Sequence, residues 1–548
     1  VIFSGPSPGS PGPSSAMKPG KRPSRLLAEF FLAFLFLSVL LNCNYPARHY
    51  FSWHLFRPSV DVWLLLSLLA MAAYMGRRPL MWTCLPVWAF FLILRVFRIG
   101  DTAVPMFLNR PFNLYIDSGY LFGLYDLLKT TARRGSFLLL SAKTVVVTLG
   151  IIISSWYAWR VAALGLTHKK FRLTFLTVSA VIFSVVLIHG RPSIKSPVMA
   201  RFGREIFSIR DQLRAQQAFF VRLKKTARER EAFPASLKAL QGADVLLFIV
   251  ESYGRIVFSH PKYRQVIKTT MDNLTRVLDR HGFQAVSSYL VSPTYGGSSW
   301  LAHSSLEFGL RAGNDLEDTA LLRSSLPPLA SYFAKSGYRT ISVMPGTRFA
   351  YPEGTAFGYD RYYYARDFNY RGQSFGWAPM PDQFVLDWVR HHEFVKRSQP
   401  LFVHYVLISS HAAFSRQPQF LVDWESIGDG RIYKDIEPVT YPIYWPNLQN
   451  AGEAYLRSLD YDFTVLGDYF ARYVSADTLI IIMGDHQPNV QLTGEGQPWS
   501  VPVHIISRNP RLLEPFSRRG YTPGLIPSQP LPHAGMETFL QSFLEDFR

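Results

Sequence analysis

The feature that most constrains this chain is where its apolar residues fall. Long apolar runs crowd the stretch before residue 190, at 26–41, 60–76, 80–97, 136–159 and 171–189. A membrane span needs about 20 mostly apolar residues, with about 17 as the practical minimum. The last two runs meet that easily, whereas the first is short and contains Glu29. A sixth stretch, 112–128, carries Asn113, Asp117 and Asp126 and reads as an interfacial or re-entrant helix. The expectation is an α-helical transmembrane bundle of about five spans over 26–190. Basic clusters test the topology. Lys18, Lys21, Arg22 and Arg25, then Arg77 and Arg78, then Arg160 with His168, Lys169, Lys170 and Arg172, all fall on one side if the N-terminus is inside. Arg133 and Arg134 fall on the other. An odd number of spans leaves everything after Gly190 outside, and counting 112–128 as a span would reverse that side.

Charge enters here. Lys plus Arg number 58 against 39 for Asp plus Glu, a net +19. In a soluble chain this balance points to nucleic acid. Beside membrane spans it points to anionic head groups, and no nucleic-acid motif is present. The partner expected is a lipid bilayer, with no nucleic acid. The two cysteines, Cys43 and Cys84, lie in the first hundred residues, so the C-terminal part has no disulfide and no cysteine metal site. Residues 1–25 read as a disordered, basic N-terminus, Pro/Gly/Ser-rich before Met17, and the first run as an uncleaved anchor. Lys143, inside the fourth run, reads as snorkelling toward an interface, against the functional reading an intramembrane charge invites.

Residues 191–242 read as a juxtamembrane helical connector. Its stretch 205–231 is strongly basic and fits either an interfacial amphipathic helix or a plain solvated one. From 243 to 548 the texture changes. Strands are expected at 245–250, 284–291, 340–344, 401–408 and 478–483, with helices such as 328–336 and 454–473 between them. That alternation implies an α/β domain with a mostly parallel central sheet.

Two strand ends carry the chemistry. The first strand runs into Glu251, and the late strand into Gly484-Asp485-His486. Ligands of open α/β sheets bind beyond the carboxyl ends of the strands. Two carboxylates and an imidazole meeting there suit a divalent cation such as Mn2+ or Zn2+. Between them lies Gly296-Gly297-Ser298-Ser299, where the glycines allow a tight turn and Ser299 opens a helix. A helix N-terminus holds anionic oxygens, and a cation on the serine oxygen makes it a nucleophile. Taken singly, Ser299 is more often a helix cap, and Glu or Asp-His pairs are common by chance.

With Val250-Glu-Ser-Tyr253, Gly296 through Gly309, Ser409-Ser-His411 and Gly484-Asp-His486 in order, the chain resembles the membrane-bound, sulfatase-like branch of the alkaline phosphatase superfamily. That branch includes lipoteichoic acid synthases, phosphoglycerol transferases and phosphoethanolamine transferases. Supporting segments are Ser336-Gly-Tyr-Arg339, Phe357-Gly-Tyr-Asp360 and Tyr455 with Leu459-Asp-Tyr-Asp462. The resemblance covers roughly 240–548 and implies an alkaline-phosphatase-like fold. It implies Glu251, Ser299, Asp485 and His486 as ligands of one divalent metal, Mn2+ or Zn2+, with Mg2+ as a third option. It implies Ser299 as nucleophile, with Ser298 as runner-up, and His411 and Arg348 as substrate-binding residues.

Departures from the family narrow the expectation. Sulfatases that make formylglycine need Pro and Arg after the nucleophile, and Ser299-Trp-Leu-Ala-His303 has neither. No second Asp-x-x-x-His ligand pair is found, and no second substrate histidine near Pro345. The absence of disulfides leans toward phosphoglycerol transfer. The expected function is transfer of a phospholipid-derived phospho-head-group, phosphoglycerol or phosphoethanolamine, to an envelope glycan or lipid acceptor. A membrane-anchored phosphate- or sulfate-ester hydrolase is the alternative, and a non-enzymatic scaffold the third reading. The implied location is a bacterial cytoplasmic membrane, multi-pass, with the catalytic domain outside.

Overall fold

The computed structural model describes residues 23–43, 53–76, 81–117, 134–189, 198–231, 236–348, 351–395, 397–443 and 448–548. The chain separates into two compact units, one of Val1–Ile99 with Tyr120–Ile206, the other of Gly100–Gly119 with Phe207–Arg548.

All five apolar runs of the first unit are helical, in Pro23–Asn42, Val60–Tyr74, Met81–Leu108, Arg134–Gly165 and Lys169–His189. In hydrocarbon every backbone polar group must be satisfied within its own segment, and a helix does this. Among the described residues, three stretches are long and apolar enough to cross a membrane: Ser24–Asn42, Trp82–Pro105 and Ser141–Gly165. Val60–Tyr74 is apolar but has 15 residues, about 22 Å of helix against a hydrocarbon core of about 30 Å. Outward-facing Val145, Val146, Leu149 and Ile153 are exposed, and Lys143 lies on the same helix. Polar pins join the helices. Trp63 Nε1 donates to Ser179 Oγ at 3.0 Å, and Trp88 Nε1 to Ser155 Oγ at 3.0 Å. Of the 112–128 stretch, Leu114–Asp117 forms one helical turn, and 118–128 lies outside the described residues. Residues 1–22 of the N-terminal segment lie outside them too, as do 191–197 and 232–235 of the connector. The connector helix runs Val198–Glu231, starting ahead of the expected 205.

The second unit is built on a sheet. Its strands are β1 Asp244–Val250, β2 Gln284–Val291, β3 Arg339–Met344, β4 Arg361–Tyr364, β5 Leu401–Leu407, β8 Thr478–Gly484, β9 Ser500–Ser507 and β10 Thr522–Pro523; β6 Arg416–Gln417 and β7 Val439–Thr440 pair apart from it. Among the described residues the order is β10-β2-β9-β8-β1-β5-β3-β4. Strands β8, β1, β5, β3 and β4 are parallel neighbours, while β9 runs antiparallel to both β8 and β2. The five expected strands are all present. β1 and β8 are buried along their whole length, as strands covered on both faces must be. Two apolar cores flank the sheet, one around Phe248, Tyr405 and Phe470, the other around Phe333, Phe402 and Phe543. The helix Gly452–Tyr473 lies in the first core and the helix Thr538–Phe547 in the second.

Candidate metal-dependent active site

β1 and β8 are hydrogen-bonded neighbours, with Val250 opposite Gly484. The residues that follow each strand therefore emerge side by side, Glu251 from one and Asp485-His486 from the other. The fit between these two turns is tight. A Cβ on Gly484 would lie 1.8 Å from the Tyr253 carbonyl oxygen, and one on Gly254 would lie 1.9 Å from Gln487 Oε1. Ser252, between them, adopts φ 58°, a conformation costly for a side-chain-bearing residue.

Among the described residues, Glu251, Asp485 and His486 form a group able to hold a metal, with ligand atoms all within 4.8 Å of one another. All three are buried. His486 Nε2 lies 3.5 Å from Glu251 Oε1 and 3.3 Å from Asp485 Oδ2. Ser299 completes the set, its Oγ 3.3 Å from Glu251 Oε2 and 3.1 Å from His486 Nε2. It is the first residue of the helix Ser299–Phe308. Ser298 precedes it at φ 60° and makes no side-chain cap. The geometry thus brings Ser299 onto the cluster.

Surrounding bonds orient each group. Asp485 Oδ1 accepts from Ser252 N at 2.8 Å and His486 N at 2.7 Å, which leaves Oδ2 toward His486. His486 Nδ1 donates to the Gln487 carbonyl at 2.8 Å, fixing Nε2 as the lone-pair nitrogen. The same carbonyl accepts from Gly296 N at 3.0 Å and so ties the serine-bearing turn to the histidine. Ser292 Oγ donates to the Asp485 carbonyl at 2.6 Å.

The electrostatics favour a cation. Burial, with the Glu251 carboxylate second, pushes Asp485 up to about 6. Burial pulls His486 down, but Asp485 and Glu251 outweigh it and its pKa is raised. The two crowded carboxylates draw positive charge into the buried pocket, where a divalent cation held by both and by the imidazole lone pair would answer them. The oxygen and nitrogen donors fit Mn2+ or Zn2+.

A second patch lies around the turn after β5. His411 stacks on Trp377 at 4.1 Å and 14°. Its Nδ1 donates to the Ala412 carbonyl at 2.6 Å. Burial lowers its pKa to about 4, and the nearby His486 adds to this, so the ring is neutral with a bare Nε2. Arg348 Nη2 donates to the Trp377 carbonyl at 2.6 Å, and its guanidinium lies 5.9 Å from the Trp377 ring centre. The structure therefore joins His411 and Arg348 through Trp377, which no spacing in the sequence singled out. His303 was also missed as a site residue. It sits one turn beyond Ser299 and feels both Asp485 and His486, and burial lowers its pKa to about 4. The helical period of four from Ser299 was the signal available for it.

Residues 301–511 match the Sulfatase family model. The match contains Arg348, His411, Asp485 and His486 and begins just after Ser299. No curated protein matches the chain. Among solved structures it is similar to the lipoteichoic acid synthase LtaP from Listeria monocytogenes, at 15% identity over 55% of this chain and 76% of that one, TM-score 0.36. It is similar to the Streptococcus pyogenes phosphoglycerol transferase GacH in complex with sn-glycerol-1-phosphate, at 11% identity over 60% and 91%, TM-score 0.36. It is similar to the C-terminal periplasmic domain of EcEptC from Escherichia coli, in complex with Zn, at 13% identity over 55% and 80%, TM-score 0.36. The resemblance read from the motifs agrees with this match to the Sulfatase family model over residues 301–511.

Proposed function

We propose that the protein moves a phospho-head-group, phosphoglycerol or phosphoethanolamine, from a membrane phospholipid to an envelope glycan or lipid through a covalent intermediate on Ser299. The observation that carries this reading is the position of Ser299 Oγ, within 3.3 Å of Glu251 and 3.1 Å of His486, at a helix N-terminus. Glu251, Asp485, His486 and Ser299 would hold one divalent cation, which supplies Lewis-acid stabilisation and lowers the serine pKa.

In the first step the Ser299 oxygen bonds to phosphorus, and the bond from phosphorus to the diacylglycerol oxygen breaks. Ser299 gives up its proton and diacylglycerol gains one. In the second step an acceptor hydroxyl bonds to phosphorus, the bond to Ser299 breaks, and Ser299 regains a proton. The backbone N–H groups opening the helix at Ser299 face developing negative charge on the phosphoryl oxygens. His411, neutral with Nε2 bare, accepts a hydrogen bond or proton from a hydroxyl over the site, and Arg348 pairs with an anionic oxygen of the substrate. The apolar helices of the first unit support a membrane-anchored enzyme. We place it in a bacterial cytoplasmic membrane with the site outside.

The test is lipid mass spectrometry of cells expressing the wild type or Ser299→Ala. Diacylglycerol accumulating only with the wild type, and the head group recovered on a glycan or lipid, supports transfer. A free head group points to the hydrolase alternative. No lipid change, despite expression and metal binding, contradicts the lipid donor.

A further inference from the structure

The turn that carries His411 is held from beneath by acid groups. Asp382, first residue of the helix Asp382–Val389, is fully buried and accepts three close contacts from two backbone N–H groups. They are Ile408 N at 3.1 and 3.0 Å to its two oxygens, and Ser409 N at 2.7 Å. Its own N–H donates to Ser409 Oγ at 3.2 Å. Asp462, on the helix Gly452–Tyr473, is also buried and lies within hydrogen-bonding reach of Asp382. Among the described residues neither Asp462 oxygen has a donor in good geometry. The hydroxyl beside it, Ser410 Oγ, is committed to the Glu251 carbonyl at 2.8 Å.

Two carboxylates cannot hydrogen-bond each other, because both only accept. Two buried like charges in contact cannot both stay ionised either. One proton between them removes both problems. The backbone donors decide which oxygen carries it: two N–H groups and the Ser409 hydroxyl favour a charged Asp382, while a charged Asp462 has only the Ser410 hydroxyl beside it, already donated to the Glu251 carbonyl.

We infer that Asp382 and Asp462 share one proton, that it resides on Asp462, and that this acid–carboxylate pair is the positioning device for the 408–411 turn and, through Ser410, for Glu251. The direction of the shifts agrees. Burial, then the neighbouring Asp382 charge, raises Asp462 far above the carboxylate range, while burial raises Asp382 only to about 6, because its bonds to Ser409 and Ile408 partly counter it. Asp462 thereby gains a role that its place in the Leu459-Asp-Tyr-Asp462 segment did not reveal. The positioning role rests on the site reading above; the location of the proton does not.

The pair makes an asymmetric prediction for the full-length protein. In Asp462→Asn the amide N–H replaces the acid O–H as donor to Asp382. In Asp382→Asn an amide NH2 is forced against the Ile408 or Ser409 N–H. Mn2+ affinity is expected to stay within about threefold in Asp462→Asn and to fall by about tenfold or more in Asp382→Asn, the scale of a lost hydrogen bond to a charged group. A spectroscopic readout keeps the proposal testable if Asp382→Asn fails to fold. At about pH 7.5 ordinary carboxyls are ionised. The infrared difference between wild type and Asp462→Asn is expected to show the C=O stretch of one protonated carboxylic acid, with Glu307 cancelling in the subtraction. No such band, or damage in Asp462→Asn with Asp382→Asn spared, overturns the proposal. A wild type that binds no Mn2+ overturns the site reading and with it the positioning role, while the band still decides where the proton sits.

Discussion

Ser299 Oγ lies 3.1 Å from Nε2 of His486, across 187 residues of sequence. The bond that orients His486 runs to the Gln487 carbonyl, and the same oxygen holds Gly296 in the turn before Ser299. Ser299 and His486 are thus placed by one backbone atom.

Ser299→Ala is expected to lower turnover by at least ~1,000-fold, the scale seen when an enzyme loses its nucleophile. Melting temperature should stay near wild type, because Ser299 Oγ bonds only to Glu251 and His486 at the pocket, while metal affinity should weaken because one of the four proposed ligands is gone. Ser298→Ala should fall far less, since the Ser298 side chain makes no cap. Parallel activity, melting and metal assays on both variants check this.

Gly484→Ala should fail to fold stably. Its Cβ would meet the Tyr253 carbonyl oxygen at 1.8 Å, and backbone cannot swing aside as a flexible side chain can. A loss of more than about 3 kcal/mol is expected, the range of severe core disruptions. Soluble yield and thermal melts report it.

Metal affinity should depend on pH through Asp485. Burial and Glu251 raise this carboxyl to about 6 in the metal-free fold. Its proton-linked contribution to metal-free stability is full below the ordinary value of 3.8 and is lost as pH rises through about 6. Cation binding requires the carboxylate and therefore runs the other way. Mn2+ affinity should weaken by about tenfold per pH unit below about 6, measured by calorimetric titration.

Glu307, on the same helix as Ser299, is raised to about 8 by burial, only partly countered by a hydrogen bond from Tyr359. The sign follows: stability from its bound proton is full below about 4.5 and disappears as pH rises through about 8. Glu307→Gln stays neutral and should flatten this loss. Its melting temperature should exceed the wild type's by a few degrees at about pH 9 and match it near pH 6, roughly.

The sequence made the central strands legible because β1 and β8 are near-continuous apolar runs, while β3 and β5 are short stretches rich in β-branched and apolar residues. It did not reveal β9, where Pro502 and His504 interrupt the apolar run. Pro502 is tolerated because it pairs with Tyr289 of β2 beyond the end of the β8 ladder. His504 is satisfied inside the core by Tyr253 OH at 3.0 Å and Ser287 Oγ at 2.7 Å. At the site, strand ends disclosed Glu251, Asp485 and His486, which the fold brings together. Trp377 and the Asp382–Asp462 contact stayed hidden, since each depends on packing between segments distant in sequence. The apolar runs were legible as helices, while length separates the 15-residue Val60–Tyr74 from the three stretches long and apolar enough to cross a membrane.

The most direct test of the central claim is peptide mass spectrometry of full-length protein, acid-quenched during incubation with phospholipid membranes and Mn2+. The account predicts a phospho-head-group mass on the peptide containing Ser299, localised to that residue and absent in Ser299→Ala. Turnover with Ser299 unmodified under conditions that trap the intermediate, or the adduct on Ser298, would contradict it.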